Sequence, residues 1–448
     1  GLGDVIRDRF TVENYLSILT PVTFSFEPTG DKSFIDEYTH KVKEGVSLLK
    51  VGIIYGANAS GKTNLLQAFN ALRNILCLPT KDKTQTLDII PFLLDEESRT
   101  RPTRFELSFY IKAEKYLLQL EADSKRIYWE KLQYYPSSKA ALLYERRHNE
   151  QLDIETINWG SYLGLGKKSC QAIEGNTIGN MSVLAAWSKS NVEPSRLDAV
   201  YQYFSEQFFP PLSGATSVAS YTKDVLSNDN GGAITTFVRK FLKASDFNIS
   251  DIEIEDEEIH LDETLSSFIT ALPISENVKM EWLKDGVIRK EQFVFSHTTP
   301  KGAYKLPEQL ESAGTLQMLA LSVLLYKVLH QESIIVIDEI ESSLHYELLS
   351  YFLRAFLASS EVASQMLLTT HDLNLLNEDF VRRDTVWFTQ KDENATTKLT
   401  RLSDYGLHKN ISPYNAYKQN KLAPLPFLGS QYIDINEDLS LIHISEPT

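Results

Sequence analysis

VGIIYGANASGKTNLLQAF, residues 51–69, is the stretch whose reading decides the fold. Val51 to Tyr55 form a short apolar run of the kind that makes a buried parallel strand. Gly56 to Thr63 then fits G-x-x-x-x-G-K-[ST], the loop that cradles phosphates. Leu65, Leu66, Phe69, Leu72 and Leu76 recur at helical spacing until Pro79 ends the helix. The strand, loop and helix that this motif requires therefore occur in order. Gly56 and Gly61 allow the tight backbone that turns its N–H groups inward, with Asn58, Ser60 and Asn64 as further contacts to the nucleotide. A helix starting near Lys62 points its positive dipole end at the phosphates. Lys62 is then the candidate for the β- and γ-phosphates, and Thr63 for Mg²⁺. A glycine-rich turn that matches by chance is the alternative, and both flanks argue against it. The stretch predicts a site for a nucleoside triphosphate.

The chain has 448 residues, enough for two or three domains and an ample core. Its 45 basic and 60 acidic residues give a net charge of −15, which argues against uniform coating by nucleic acid but leaves room for a local basic groove. Cys77 and Cys170 lie far apart and fit neither a disulfide framework nor a C-x-x-C metal hook; they suit a reducing cytosol. TLQMLALSVLLYKVL (315–329) is shorter than a membrane span and carries Gln317 and Lys327, so it reads as a buried helix, and a cytoplasmic protein is expected. LSLIHISEPT (439–448) reads as a non-native tail and is set aside.

Along the chain, residues 9–28 alternate like paired antiparallel strands. Residues 103–135 read as three strands with turns near Ala113 and Ser124, and 141–147 as another. From about 180 to 245 the pattern is helical. DIEIEDEEIHLDE (251–263) is a dense acidic stretch, read as a solvated strand edge or a docking surface, and 279–297 reads as a hairpin. Parallel α/β character then returns. The division this gives is 10–150 for the first part of a nucleotide-binding head, 151–300 for a mainly helical, partner-specific insertion, and 301–437 for the second part of the head.

Three later motifs complete the expected site. SIIVIDEIESSLH (333–345) is an apolar strand ending in Asp338 and Glu339. A carboxylate there can hold Mg²⁺ through water, the Asp338 role, while Glu339 can polarise the attacking water. ESAGTLQMLALSV (311–323) puts Ser312, Ala313 and Gly314 at a helix start, suited either to a γ-phosphate or to a plain serine cap. SQMLLTTHDLNLL (364–376) is another apolar strand, followed by His371, which can donate a hydrogen bond to a γ-phosphate.

The order of these motifs resembles the ABC/SMC-type ATPase heads, the class of the SMC, RecF and OLD proteins. The resemblance implies an α/β P-loop fold, a mixed sheet with a parallel core and an antiparallel N-terminal lobe, ATP and Mg²⁺ as ligands, and hydrolysis of ATP to ADP and phosphate. It makes Ser312 and Gly314 the signature motif, Glu341 to His345 the D-loop and His371 the switch histidine. It also implies a homodimer, or higher oligomer, whose two heads sandwich two ATPs. FTVENYLSILTPVTFSF, GANASGKTNLLQAF, ESAGTLQMLAL, VIDEIESSLH, LTTHD and VWFTQKDENATTKLTRLSDY are similar to one narrower group. It comprises AAA-type ATP-binding proteins of prokaryotic abortive-infection and antiviral systems, such as AbiLii, RloA and AriA of the PARIS system. NKLAPLPF departs from the small-residue form of that group near its end. Membership implies control of a separate effector, a TOPRIM-type nuclease, because no Asp-x-Asp metal pair follows His371.

Two other functions remain open on the sequence. A RecF-like DNA-repair ATPase needs a basic groove, for which Arg99, Arg101 and Arg104, Lys125 and Arg126, and Arg146 and Arg147 are the candidates; solvated strand faces are the alternative. An ATP-locked scaffold with negligible turnover needs nothing further. A transporter subunit is disfavoured because Thr63 and Ser312 are too far apart and the signature reads ESAGT.

Overall fold

The computed structural model describes residues 5–422 apart from 213, 230–231, 246–247, 261–265, 267–269, 271–286, 343, 360–362, 409–410 and 420. Strands β1 (Val5–Glu13) and β2 (Val22–Ser25) pair antiparallel, as 9–28 predicts. A ribbon of β3 (Thr39–Lys43) and β4 (Val46–Leu49) leads into β5 (Val51–Gly56). All six residues of β5 are buried, which is why the strand carries no polar alternation.

Next come β6 (Thr103–Ile111), β7 (Glu114–Ala122), β8 (Ile127–Tyr135), β9 (Ala141–Asn149) and β10 (Ile154–Trp159). They form one antiparallel sheet in the order β10-β9-β8-β7-β6-β1-β2. Buried and half-buried residues alternate along β7, the pattern of a sheet with one face on the core. Because β10 pairs with β9, the lobe runs past the boundary expected at 150.

The insertion is helical over Lys167–Asn176, Val183–Ser188, Arg196–Gln202, Gly214–Ser227 and Ala233–Ala244. It also carries a three-stranded sheet of β11 (Ile249–His260), β12 (Val287–Thr299) and β13 (Gly302–Pro307). The hairpin expected within 279–297 differs: 287–297 belongs to the single strand β12, which turns into β13, while 279–286 lies outside the described residues. The acidic stretch at 251 is the edge strand β11, where Arg239 pairs with Asp251, and Lys305 with Glu253 and Glu255. Those pairs favour the solvated-edge reading of the part that is described.

The second sheet draws on both ends of the chain. Its order is β14 (Ile334–Ile337), β15 (Gln365–Thr370), β5, β16 (Val386–Lys391) and β17 (Thr397–Arg401). β14, β15, β5 and β16 run parallel, and β17 closes the edge antiparallel. Beyond β14 the insertion stitches itself on: Phe209 N–H donates to Ile334 O (3.0 Å), and Asp338 N–H to Leu212 O (3.0 Å).

Helix Lys62–Cys77 lies between the two sheets and buries Leu65, Leu66, Phe69, Leu72 and Leu76, the stripe read from the sequence. Its Phe69 ring stacks on Phe10 of β1 with centroids 3.9 Å apart. Each such side chain contributes roughly 1.5–3 kcal/mol on burial, so the stripe and the Phe69–Phe10 stack tie the helix to the lobe. The apolar helix Ala313–His330 is long and apolar enough to cross a membrane, yet 61% of it is buried in the protein as a core helix.

Candidate nucleotide-binding site

The carboxyl ends of β5, β14 and β15 stand side by side, where ligands bind in open α/β sheets. From β5 the chain enters the loop 56–63. A Cβ on Gly56 would fall 2.1 Å from Thr389 Oγ1, and one on Gly61 2.1 Å from Thr397 Oγ1. Gly61 also has φ 105°, which disfavours any side chain. Both motif glycines therefore serve close approach of the loop to β16 and β17.

Threonine and serine hydroxyls prop the loop from outside. Ser60 Oγ meets Thr389 Oγ1 at 2.6 Å, and Thr397 Oγ1 donates to Ser60 O at 3.0 Å. Asn64 Nδ2 donates to Ser17 Oγ at 2.6 Å, and Ser17 Oγ in turn meets Thr397 Oγ1 at 2.8 Å. Asn64 and Ser60 are thus engaged with the protein itself, whereas Asn58 is exposed at the loop tip. The loop itself follows the G-x-x-x-x-G-K-[ST] pattern. Ser17, Thr389 and Thr397 lie in other segments, and nothing in the sequence ties them to the loop.

Lys62 is 5% exposed and its Nζ donates to Gly56 O (2.8 Å) and Ala57 O (3.2 Å). Burial holds its ammonium below the ordinary lysine value, while Asp338, Glu339 and Glu341 pull it back up. Nζ also lies 3.4 Å from His371 Nδ1. A lysine ammonium only donates, so Nδ1 accepts, and the proton of a neutral imidazole sits on Nε2. His371 Nε2 is 3.6 Å from Glu339 Oε1.

Thr63 Oγ1 donates to Asp338 Oδ2 at 2.8 Å. The other oxygen of Asp338 accepts from Thr369 Oγ1 at 2.5 Å, and Thr369 Oγ1 accepts the Glu339 main-chain N–H at 2.8 Å. Glu339 has φ 51°, in the left-handed region, and its side chain is 58% exposed toward solvent. Thr63 and Asp338 present hard oxygen donors at one point. That set fits Mg²⁺, which takes one or two protein oxygens and keeps water and phosphate oxygens for the rest. Among the described residues no group of three or more His, Cys, Asp or Glu is placed to hold a metal ion without help from a ligand.

The structure thus brings Lys62, Thr63, Asp338, Glu339 and His371 together. Beside them a pocket of about 440 Å³ is lined by Tyr55, Gly56, Ala57, Asn58, His371, Leu373 and Tyr417. Ser312 and Gly314 are not part of this cluster. Ser312 caps helix Ala313–His330, its Oγ accepting the Thr315 N–H at 3.0 Å, and it is exposed. Among the described residues no hydrogen bond joins Ser312 or Gly314 to residues 56–64.

Apart from Lys125, which is exposed, the basic residues considered for DNA are taken up within the protein. Arg101 pairs with Glu13, Arg104 with Glu121, Arg126 with Asp153, and Arg147 with Glu145. Arg99 donates to Leu93 O. Arg146 is fully buried between Glu130 and Glu155 and donates to the carbonyls of Ile178 and Gly179, pinning the lobe to the insertion. The pairs of Arg101, Arg104, Arg126 and Arg147 favour the solvated reading for those four, whereas Arg146 is a buried structural cation and fits neither reading.

A parallel core carrying the phosphate loop, an antiparallel N-terminal lobe and an insertion between the two halves of the head make up a P-loop NTPase architecture with a mixed α/β core. Solved structures similar to the chain include the SMC head domain from Thermotoga maritima, at 12% identity and a TM-score of 0.41, covering 88% of this chain and 98% of that one. An Smc head bound to the C-terminal winged-helix domain of ScpA is 11% identical with a TM-score of 0.42, over 89% and 99%. An Smc head with an extended coiled coil, bound to the C-terminal domain of ScpA derived from Pyrococcus furiosus, is 9% identical with a TM-score of 0.39, over 93% and 98%. No curated protein matches the chain. A family profile described as "AAA domain, putative AbiEii toxin, Type IV TA system" matches residues 53–175 and 180–377, spanning the phosphate loop, the insertion, both strand-end carboxylates and His371. The chain belongs to this family of AAA domains, with its ATP-binding ATPase fold.

Proposed function

We propose that this chain is the ATP-hydrolysing regulatory subunit of a prokaryotic anti-phage defence system, acting on a separate TOPRIM-type nuclease. The observation that carries the ATPase part is the contact of Thr63 with Asp338 beside Lys62, with Glu339 and His371 at its rim. The defence part is supported by the family's toxin–antitoxin description and by the narrower sequence resemblance.

In this reading the N–H groups of the loop and the Lys62 ammonium bind and orient the triphosphate, for which Nζ exchanges its bonds to Gly56 O and Ala57 O. Thr63 and Asp338 hold Mg²⁺, which screens phosphate charge when bound. Glu339 takes a proton from the attacking water, and His371 Nε2–H turns from Glu339 toward the γ-phosphate. Ser312 and Gly314 of a second copy close the site, consistent with their exposed helix start. The head comprises the two sheets on either side of the insertion, the lobe through β10 and the parallel sheet from β14 on, and the insertion meets the partner.

The test is phosphate release per protomer over a range of protein concentrations, for wild type and Glu339→Gln. Wild-type turnover per protomer that rises with concentration, with a variant that binds ATP but releases no phosphate, is the expected result. ATP held without release at any concentration overturns hydrolysis in favour of a nucleotide lock. A Glu339→Gln variant as fast as wild type overturns the assignment of the base.

A further inference from the structure

His371 enters the site on the loop after β15, and a carboxylate unused in the scheme above holds that loop. The main-chain N–H of His371 donates to Glu341 Oε1 at 2.5 Å. Glu341 stands on the turn that follows β14 and the catalytic pair. That turn is itself bonded to β15: Ile340 N–H donates to Thr369 O (3.1 Å), and Ser342 N–H closes back onto Glu339 O (2.9 Å). The loops after β14 and β15 are therefore joined by the main chain, by Thr369 Oγ1 and by Glu341. Two of those links act on the residues on either side of the expected γ-phosphate.

The second oxygen of Glu341 is buried without a hydrogen-bond partner, and so is the hydroxyl of Tyr55 at the end of β5. Glu341 and Asp372 lie near enough to that phenol to add to the upward push burial gives it. Proteins seldom keep a buried carboxylate oxygen unpaired. A carboxylate in such surroundings is explained by what its other oxygen does.

We propose that Glu341 is a positioning residue for hydrolysis: by accepting the His371 main-chain N–H it holds the imidazole between Lys62 Nζ and Glu339. The inference rests on the reading of His371 as the γ-phosphate sensor. Glutamine at 341 retains a carbonyl oxygen for the N–H, whereas alanine leaves the peptide free to turn.

Two measurements on the full chain test it. In amide hydrogen exchange, Glu341→Ala lowers protection of the peptide spanning His371 by roughly tenfold or more, and Glu341→Gln keeps it. In steady-state hydrolysis, Glu341→Ala lowers kcat by about 10- to 100-fold with KM for ATP within about threefold, the effect of an ångström-scale misplacement. Glu341→Gln restores most of the rate, and adding Glu341→Ala to His371→Ala costs nothing further. Unchanged protection in Glu341→Ala overturns the proposal, as does a rate loss additive with His371→Ala or equal in the Gln and Ala variants. If wild type binds ATP but never releases phosphate, the ATPase reading fails, and the exchange arm alone decides whether Glu341 holds the loop.

Discussion

Thr369→Val is the substitution that tests the strand-end geometry most directly. Thr369 is fully buried, and its hydroxyl has two jobs: it donates to Asp338 Oδ1 and accepts the Glu339 N–H. Valine keeps the shape and the strand propensity but removes the hydroxyl. The loss is a hydrogen bond to a charged group, ~1.5–3 kcal/mol, and an orphaned N–H, ~1–3 kcal/mol. The added methyl recovers about 0.8 kcal/mol of apolar burial. A net destabilisation of about 2–5 kcal/mol results. Function should suffer as well, because Glu339 sits at φ 51°, a conformation costing ~1–2 kcal/mol that the bond from its N–H to Thr369 helps to offset. Freed of it, Glu339 relaxes away from His371, and Asp338 swings on one anchor, so phosphate release should need more Mg²⁺. Thr369→Ser is the control, keeping both bonds and losing one methyl, ~1 kcal/mol. The assay is urea unfolding of both variants with phosphate release titrated against Mg²⁺. If Thr369→Val is as stable as Thr369→Ser, with wild-type Mg²⁺ dependence, the reasoning fails.

Gly61→Ala puts a Cβ 2.1 Å from Thr397 Oγ1 at φ 105°, so it should cost ~1–3 kcal/mol of stability and abolish ATP binding in calorimetric titration. ATP bound with wild-type affinity would show that the loop does not need this approach. Arg146→Met strands Glu130, and breaking so buried a pair should cost ~3–5 kcal/mol at pH 8. Burial already raises the Glu130 carboxyl above its ordinary value against the pull of Arg146, and losing the cation raises it further. A carboxyl with a raised folded-state pKa binds its proton more tightly when folded, so its contribution is full at acid pH and lost as pH rises. Unfolding at pH 5 and pH 8 should therefore show a smaller gap between wild type and variant at pH 5; an equal or larger gap there contradicts the buried-pair account. Arg104→Glu and Arg147→Glu should leave duplex-DNA anisotropy unchanged at low salt, since both arginines are already paired. Salt-dependent binding that these variants abolish would restore the DNA reading.

What the sequence makes legible is what local chemistry demands of one residue type. The loop needs glycine at 56 and 61, the helix needs its apolar stripe, and apolar strands ending in Asp338-Glu339 and Thr370-His371 can hardly end otherwise at a polar site. The errors have equally local causes. β10 has no fully buried face, so its period-2 signal is faint, although it extends the lobe's sheet past residue 150. The alternation at 287–297 fits one long strand as well as half a hairpin. The segment 208–212, which lies parallel to β14, is hidden by Pro210 and Pro211, which sheets tolerate at an edge.

The props of the site escaped for a different reason. Thr369, Thr389 and Thr397 sit on three separate strands, and Ser17 on the loop after β1. In sequence each threonine reads as a strand former and nothing more, because its β-branched carbon suits the pleat. Its hydroxyl adds a short, stiff hydrogen-bonding group at no cost to that propensity. A longer polar side chain could reach the same partners, but it would lose more rotamer freedom in doing so. A site propped by threonines thus draws its rigidity from residues the sheet would select anyway. That explains why the strands were readable while the contacts they make across the site were not.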